Sequence, residues 1–125
     1  MADQKKQITK VNQLRPLDTG VTLIVKVVSA KVLALRGRAQ GRFSECLVGD
    51  ETGMIIFAAR NDQVDLAKDG NTLVLSNAKI DMFKGSMRLA VDRSGRVEAG
   101  EPASFMVEES NNLSLIEFDR YDVAV

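Results

Sequence analysis

Three arginines and two glycines fall within the eight residues RGRAQGRF, positions 36 to 43. A guanidinium is a permanent cation with five donors in a fixed fork, so a cluster of them either faces water or meets negative charge. The run alone leaves both readings open, because a charged, glycine-bearing stretch is commonly a solvated surface. The rest of the chemical inventory is thin. There are no histidines and one cysteine, Cys46. That removes His-based acid–base chemistry, every Ser–His or Cys–His nucleophile, the common zinc constellations and any disulfide within the chain. Carboxylate-only catalysis with a magnesium ion would need clustered acids, and the 17 Asp and Glu are scattered without a metal-binding pattern. The chain reads as a non-enzyme, with no cofactor and no metal.

Charge sums to zero but is uneven. Residues 1–20 carry +2, residues 21–96 carry +4 and residues 97–125 carry −6. A mildly basic body is thus followed by an acidic segment, either a solvated tail or a competitor or partner site for the basic face. The expected division is an N-terminal extension (1–20), a core (21–96) and an acidic C-terminal segment (97–125) docked on the core. With 45% hydrophobic residues, 125 residues suit one domain with a real core. The opening MADQKKQITK has no apolar run, and no stretch approaches the ~18 consecutive apolar residues of a membrane span. No membrane is expected, and the cytoplasm or nucleus is the expected compartment.

The elements that must position the arginines follow from periodicity. VTLIVKVVSAKVLAL (21–35) is rich in β-branched residues and unbroken by Gly or Pro, which predicts one long strand. Alternation puts Val21, Leu23, Val25 and Val27 on one face and Thr22, Ile24, Lys26 and Val28 on the other, so the face with Lys26 meets water or a polyanion. RGRAQG connects to a second strand, Phe43 to Val48, and the cluster Gly49–Gly53 turns into a third, MIIFAAR. The same alternation places Cys46, Val48 and Phe57 in the core. Residues 61–71 predict a short helix with Val64 and Ala67 or Lys68 at helical spacing and Gly70 ending it. Thr72–Asp81 and Ser86–Asp92 predict two further strands joined by a Met82–Gly85 hairpin. Ile8, Val11 and Leu14 have the spacing of a helical turn that would plug one end of a barrel. Leu113, Leu115, Ile116 and Phe118 are too apolar for a free tail, and Phe105 with Phe118 is expected to pin the acidic segment. The result is an all-β chain whose strand count suggests a five-stranded Greek-key barrel with a short helix between strands three and four, the OB-fold order, although propensity alone does not separate this from an SH3-like barrel or a split sandwich.

The stretch CLVGDETGMIIFAAR…DGNTLVLSNAKIDMFKGSMRLAVDRSGRV resembles the single-OB-fold proteins related to the single-strand-binding B subunit of the SOSS complex, to replication protein A and to archaeal single-stranded DNA-binding proteins. The resemblance is nearest to the plant members, and it covers roughly residues 9 to 98. Its most specific pieces are Asp50-Glu51-Thr52-Gly53 and Phe83-Lys84-Gly85. It implies binding of single-stranded or structured nucleic acid across strands two and three, flanked by the loop after strand one and the last hairpin. Arg36, Arg38 and Arg42 would then neutralise phosphates. Aligned by the two motifs, the family's stacking rings fall at Arg60, Lys79, Phe83 and Ala90, where only Phe83 keeps its ring. Lys26, Lys84 and Arg88 join as cations on the outward parity or in the hairpin of Phe83, and Phe43 is either a stacking ring or part of the barrel rim. Stacking is worth about 1–3 kcal/mol per base, so a weaker and more salt-sensitive binder is implied. The different-class alternative is a protein-interaction module within a larger complex, and an unpaired strand edge would permit a homo-oligomer.

Overall fold

The strands follow from apolar residues at every second position, closing around a core of aliphatic side chains with Phe57 at its centre. The computed structural model describes residues 8–33 and 43–116. In chain order they form β1 (Val21–Leu33), β2 (Phe43–Asp50), β3 (Gly53–Arg60), α1 (Asp62–Leu66), β4 (Thr72–Phe83), β5 (Ser86–Ala90) and β6 (Arg96–Ala99). β2 pairs antiparallel with β1 and β3, β5 runs parallel to β3, and β4 pairs with β5 and returns to β1. The sheet thereby closes on itself with the short helix after the third strand, the expected barrel. Closure removes most of the exposed strand edge that would otherwise invite aggregation.

β6 goes beyond the five strands read from sequence. It runs along the same edge of β4 that β5 occupies further on, with Leu73 opposite Ala99 and Ser76 opposite Arg96. Its only packed side chain is Val97, too small an apolar signal for alternation to reveal. The last hairpin is also tighter than expected. β4 runs to Phe83, and the turn is Lys84-Gly85 alone, with φ of +51° and +84°. Two successive positive φ values define the two-residue turn whose twist matches the flanking strands. Phe83 is therefore a strand residue, and its ring belongs to a face of the sheet.

β1 keeps the expected alternation only from Leu23 to Val27; Thr22, expected outward, is buried, and the pairing with β4 shifts between Val21 and Leu23. Leu23, Val25 and Val27 are buried, but the pairing with β2 shifts between Val27 and Ser29. The extra residue of this bulge inverts the parity beyond it. Ala30 packs on the core, and Ser29 and Lys31 point outward.

Two terminal turns close one end of the barrel. Val11 and Leu14, from a 3₁₀ turn at Val11–Gln13, are fully buried, and Leu113, from a second turn at Leu113–Leu115, joins the same cluster. Ile8, expected beside them, is 40% exposed. It lies upstream of a turn only three residues long, so it is not carried onto the buried side. Leu115 and Ile116 are likewise exposed, at 76% and 45%, and Phe118 lies outside the described residues. Besides the buried Leu113, backbone and hydroxyl bonds hold the acidic segment. Met54 donates its N–H to the Asn111 carbonyl at 2.8 Å. The Ser114 hydroxyl accepts from the Ile56 N–H at 2.9 Å and donates to the Met87 carbonyl at 2.6 Å, bridging β3 and β5 where their short parallel pairing begins. Phe105 is half-buried and lines a hollow with Ile24 and Val74.

The turn between β2 and β3 is tied from inside. Asp50 is buried, and its carboxylate accepts from the Val11 N–H (3.0 Å), the Thr52 N–H (2.8 Å) and the Thr52 hydroxyl (2.6 Å). A side-chain Cβ on Gly53 would lie 2.7 Å from the Asn111 carbonyl oxygen. Glycine there lets the C-terminal segment reach the strand.

Candidate nucleic-acid interface

Strand parity places Phe43, Glu45, Ala58, Arg60, Arg88, Lys79, Asp81 and Phe83 on one outward face. Phe43 pairs with Arg60, Glu45 with Ala58, Asp81 with Arg88, and Lys79 with Ala90. Most of these residues, with Met82, line an open groove of about 550 Å³. Its floor is low because Ala58 has almost no side chain, and rings stand on either side of it.

Each ring carries a guanidinium. Arg60 lies over Phe43 at 5.5 Å from the ring centre, and Arg88 lies over Phe83 at 4.6 Å. The Lys84 ammonium also approaches the Phe83 ring, at 5.3 Å. A cation over an aromatic face is attracted by the ring quadrupole, and the contact limits how far either partner strays. Phe83 is 49% exposed. Phe43 is half-buried on the outward side of the sheet, at the start of β2.

The face is not uniformly cationic. Arg88 donates from Nη1 to Glu45 Oε2 in a close ion pair, with side-chain exposures of 19% and 31%. Its Nε is buried without a partner, so stacking and one carboxylate, rather than full hydrogen bonding, fix its position. Lys79 pairs with Asp92 at 3.4 Å and Asp81 at 3.8 Å. Bonds from the Ser94 hydroxyl and N–H hold the Asp92 carboxyl below its ordinary range, with Lys79 adding to the effect.

Of the sequence-derived residues, Phe43, Arg60, Phe83 and Arg88 line the groove, with Lys84 and Lys79 at its margin. Lys26 lies elsewhere, in a hollow shared with Val28, Gly70, Phe105, Met106 and Glu109 beneath the C-terminal segment. Arg36, Arg38 and Arg42 lie outside the described residues. Periodicity missed Glu45 and Lys31, which are in register across β1 and β2. Unbroken alternation would have turned Lys31 inward with Val27. The one mark of the bulge is the Ser29-Ala30 break in a β-branched run. Cys46 is buried, as expected, and burial raises its thiol pKa.

A closed barrel of this strand order, with a short helix between its third and fourth strands, defines an OB-fold domain. Residues 14–99 match the family model of OB-fold, Ssb-like single-stranded DNA binding proteins, and the chain belongs to that family. It is 50% identical over 132 residues to an uncharacterized protein of Arabidopsis thaliana, covering 96% of this chain and 86% of that one. It is 28% identical over 107 residues to the single-stranded DNA binding protein Ssb of Saccharolobus solfataricus, covering 81% and 72%. The solution structure of a hypothetical Arabidopsis thaliana protein superimposes with a TM-score of 0.83 at 47% identity, covering 100% of this chain and 94% of that one. The fold is shared with replication protein A, in a heterotrimer bound to single-stranded DNA, at a TM-score of 0.60 and 20% identity, over 74% of this chain and 24% of that one. Among the described residues no helix is long and apolar enough to cross a membrane.

Proposed function

We propose that this protein binds single-stranded or structured nucleic acid, DNA or RNA, without catalysing a reaction. The observation that carries the reading is the pair of ring–guanidinium stacks, Phe43–Arg60 and Phe83–Arg88, on either side of the Ala58 floor. Bases have π-faces that such surfaces accept, and guanidiniums answer phosphates. Membership of an Ssb-like family supports the same reading. Arg36, Arg38 and Arg42, just ahead of Phe43 in the sequence, neutralise phosphates of the entering strand, and Lys84 does so at the hairpin. Lys79, already shared between two carboxylates, contributes less. Lys26 is not part of this face. A binder of this family works in the cytoplasm or nucleus.

Fluorescence anisotropy with labelled single-stranded DNA and RNA and a G-rich, quadruplex-forming sequence tests it at about 50 and 200 mM salt. Micromolar or tighter binding that weakens steeply with salt and is lost in the Arg36/Arg38/Arg42→Ala variant is the expected result. No binding at either salt by the wild type overturns it. A second reading, an interaction module inside a larger complex, draws on the exposed Leu17, Met106 and Leu115. A stoichiometric protein partner recovered after nuclease treatment would favour it, and a concentration-dependent mass would place a second copy there.

A further inference from the structure

We infer that Glu45 makes the face selective for guanine. The inference rests on the nucleic-acid reading above and goes beyond it to the base.

A carboxylate in the middle of a polyanion-binding groove is an electrostatic liability unless it contributes something in return. Glu45 stands beside Ala58, at the low point between the two rings, where a base lying on either ring would present its edge. Arg88 neutralises its charge through Oε2 alone, and Phe83 in turn holds Arg88. Among the described residues Oε1 has no hydrogen-bond partner. The result is a preorganised row of one cationic donor followed by carboxylate acceptors, already partly out of water. Asp81, the other carboxylate of the groove, is more exposed and faces the Lys79 ammonium at 3.8 Å rather than a guanidinium held over a ring, so it presents no comparable row.

The Watson–Crick edges sort against this row by their donors and acceptors. Guanine offers an acceptor, O6, followed by two donors, N1–H and the N2 amino group. It complements an Arg88 donor followed by the Glu45 carboxylate at all three positions. Adenine and cytosine can set a ring nitrogen on Arg88 and one amino donor on the carboxylate, but they bring no second donor for its other oxygen. Thymine and uracil can set one carbonyl on Arg88 and the N3–H on the carboxylate, but their second carbonyl oxygen then faces the other carboxylate oxygen and is repelled. A site built to accept hydrogen bonds rejects ligands that cannot supply them, because its polar groups are then left unpaired.

The test uses oligothymidylates of about 12 nucleotides, and their uridine counterparts, carrying one central guanine, adenine, cytosine or hypoxanthine. A single guanine cannot fold into an intramolecular quadruplex, so the measurement reads the base alone. Anisotropy titrations should give the guanine strand about tenfold tighter binding than the all-pyrimidine strand. Hypoxanthine, which lacks the N2 amino group, should lose most of that gain. In the Glu45→Gln variant, checked for native thermal unfolding, the guanine-to-thymine ratio should collapse towards one, because an amide replaces an acceptor with a donor. Equal affinities for all bases by the wild type would overturn the inference and leave the nucleic-acid reading standing. So would a guanine preference that survives in Glu45→Gln. No binding of any strand would sink both.

Discussion

The hairpin of β2 and β3 has two ends built from the same register and put to opposite uses. At the turn, Asp50 opposes Gly53, and its buried carboxylate accepts three hydrogen bonds from the chain itself. At the far end, Phe43 opposes Arg60, and the polar group lies over a ring at the surface. One end has its polarity satisfied internally; the other keeps it available. The difference separates residues that make the barrel from residues that would meet a ligand. It also shows that one of the two most family-specific pieces, Asp50 to Gly53, does the former. Such a motif reports kinship of fold more directly than retention of a binding surface.

Breaking the turn end should have the largest effect. Asp50→Ala leaves the Val11 and Thr52 N–H groups without their acceptor and releases the N-terminal plug. Bonds to a charged acceptor contribute about 1.5–3 kcal/mol each, with strong non-additivity. A loss of about 3 kcal/mol or more, read as a lower urea midpoint and Tm, is the expected outcome. Unchanged stability would show that the plug is held by Val11 and Leu14 packing alone. Gly49→Ala would not separate these causes, because a Cβ there would lie 2.5 Å from the Gly53 carbonyl oxygen.

The open end predicts the reverse pattern. Phe83→Ala should weaken oligonucleotide binding by about 1–3 kcal/mol and move Tm little, since the ring is about half exposed and its removal opens no core cavity. Anisotropy and thermal unfolding on the same preparation check both halves of the statement. A large fall in Tm with unchanged affinity would reverse the assignment and make the ring part of the barrel. Phe43→Ala sharpens the comparison, because a half-buried ring should lose some of each.

Much of the barrel was legible because its strands are long and bury one face. Leu23, Val25 and Val27, then Cys46 and Val48, then Ile55 and Phe57 alternate inward as their spacing dictates. What escaped was set by contacts rather than by pattern. The bulge after Val27 depends on how β1 divides its pairing between β2 and β4. Ser114 docks because an N–H of Ile56 and a carbonyl of Met87 need a bridge, which no local periodicity records. The site was partly legible in the same sense. The rings and guanidiniums were nameable from type and parity, whereas the pairing of Arg88 with Glu45 required the parallel β3–β5 contact to bring distant strands into one face.

The smallest expected effect lies one residue from the largest. Glu51, next to buried Asp50, is exposed and pairs with Lys10 at 2.7 Å. The bond from Lys10 holds the Glu51 carboxyl below its ordinary 4.5, and the same bond chiefly holds the Lys10 ammonium above its ordinary 10.5. A carboxyl whose folded pKa is depressed contributes stability above its unfolded value, and the contribution is lost as pH falls through the folded value. An ammonium whose folded pKa is raised contributes below its unfolded value, and the contribution is lost as pH rises through the folded value. The stability difference between wild type and Glu51→Gln should therefore be flat between about pH 4.5 and pH 10.5 and shrink outside both limits. Both partners are exposed to water, so its height should be only about 0.5 kcal/mol and should fall with salt. A difference that approached the Asp50 effect would mean that the turn acts as one coupled network, and the contrast between neighbouring carboxylates would then dissolve.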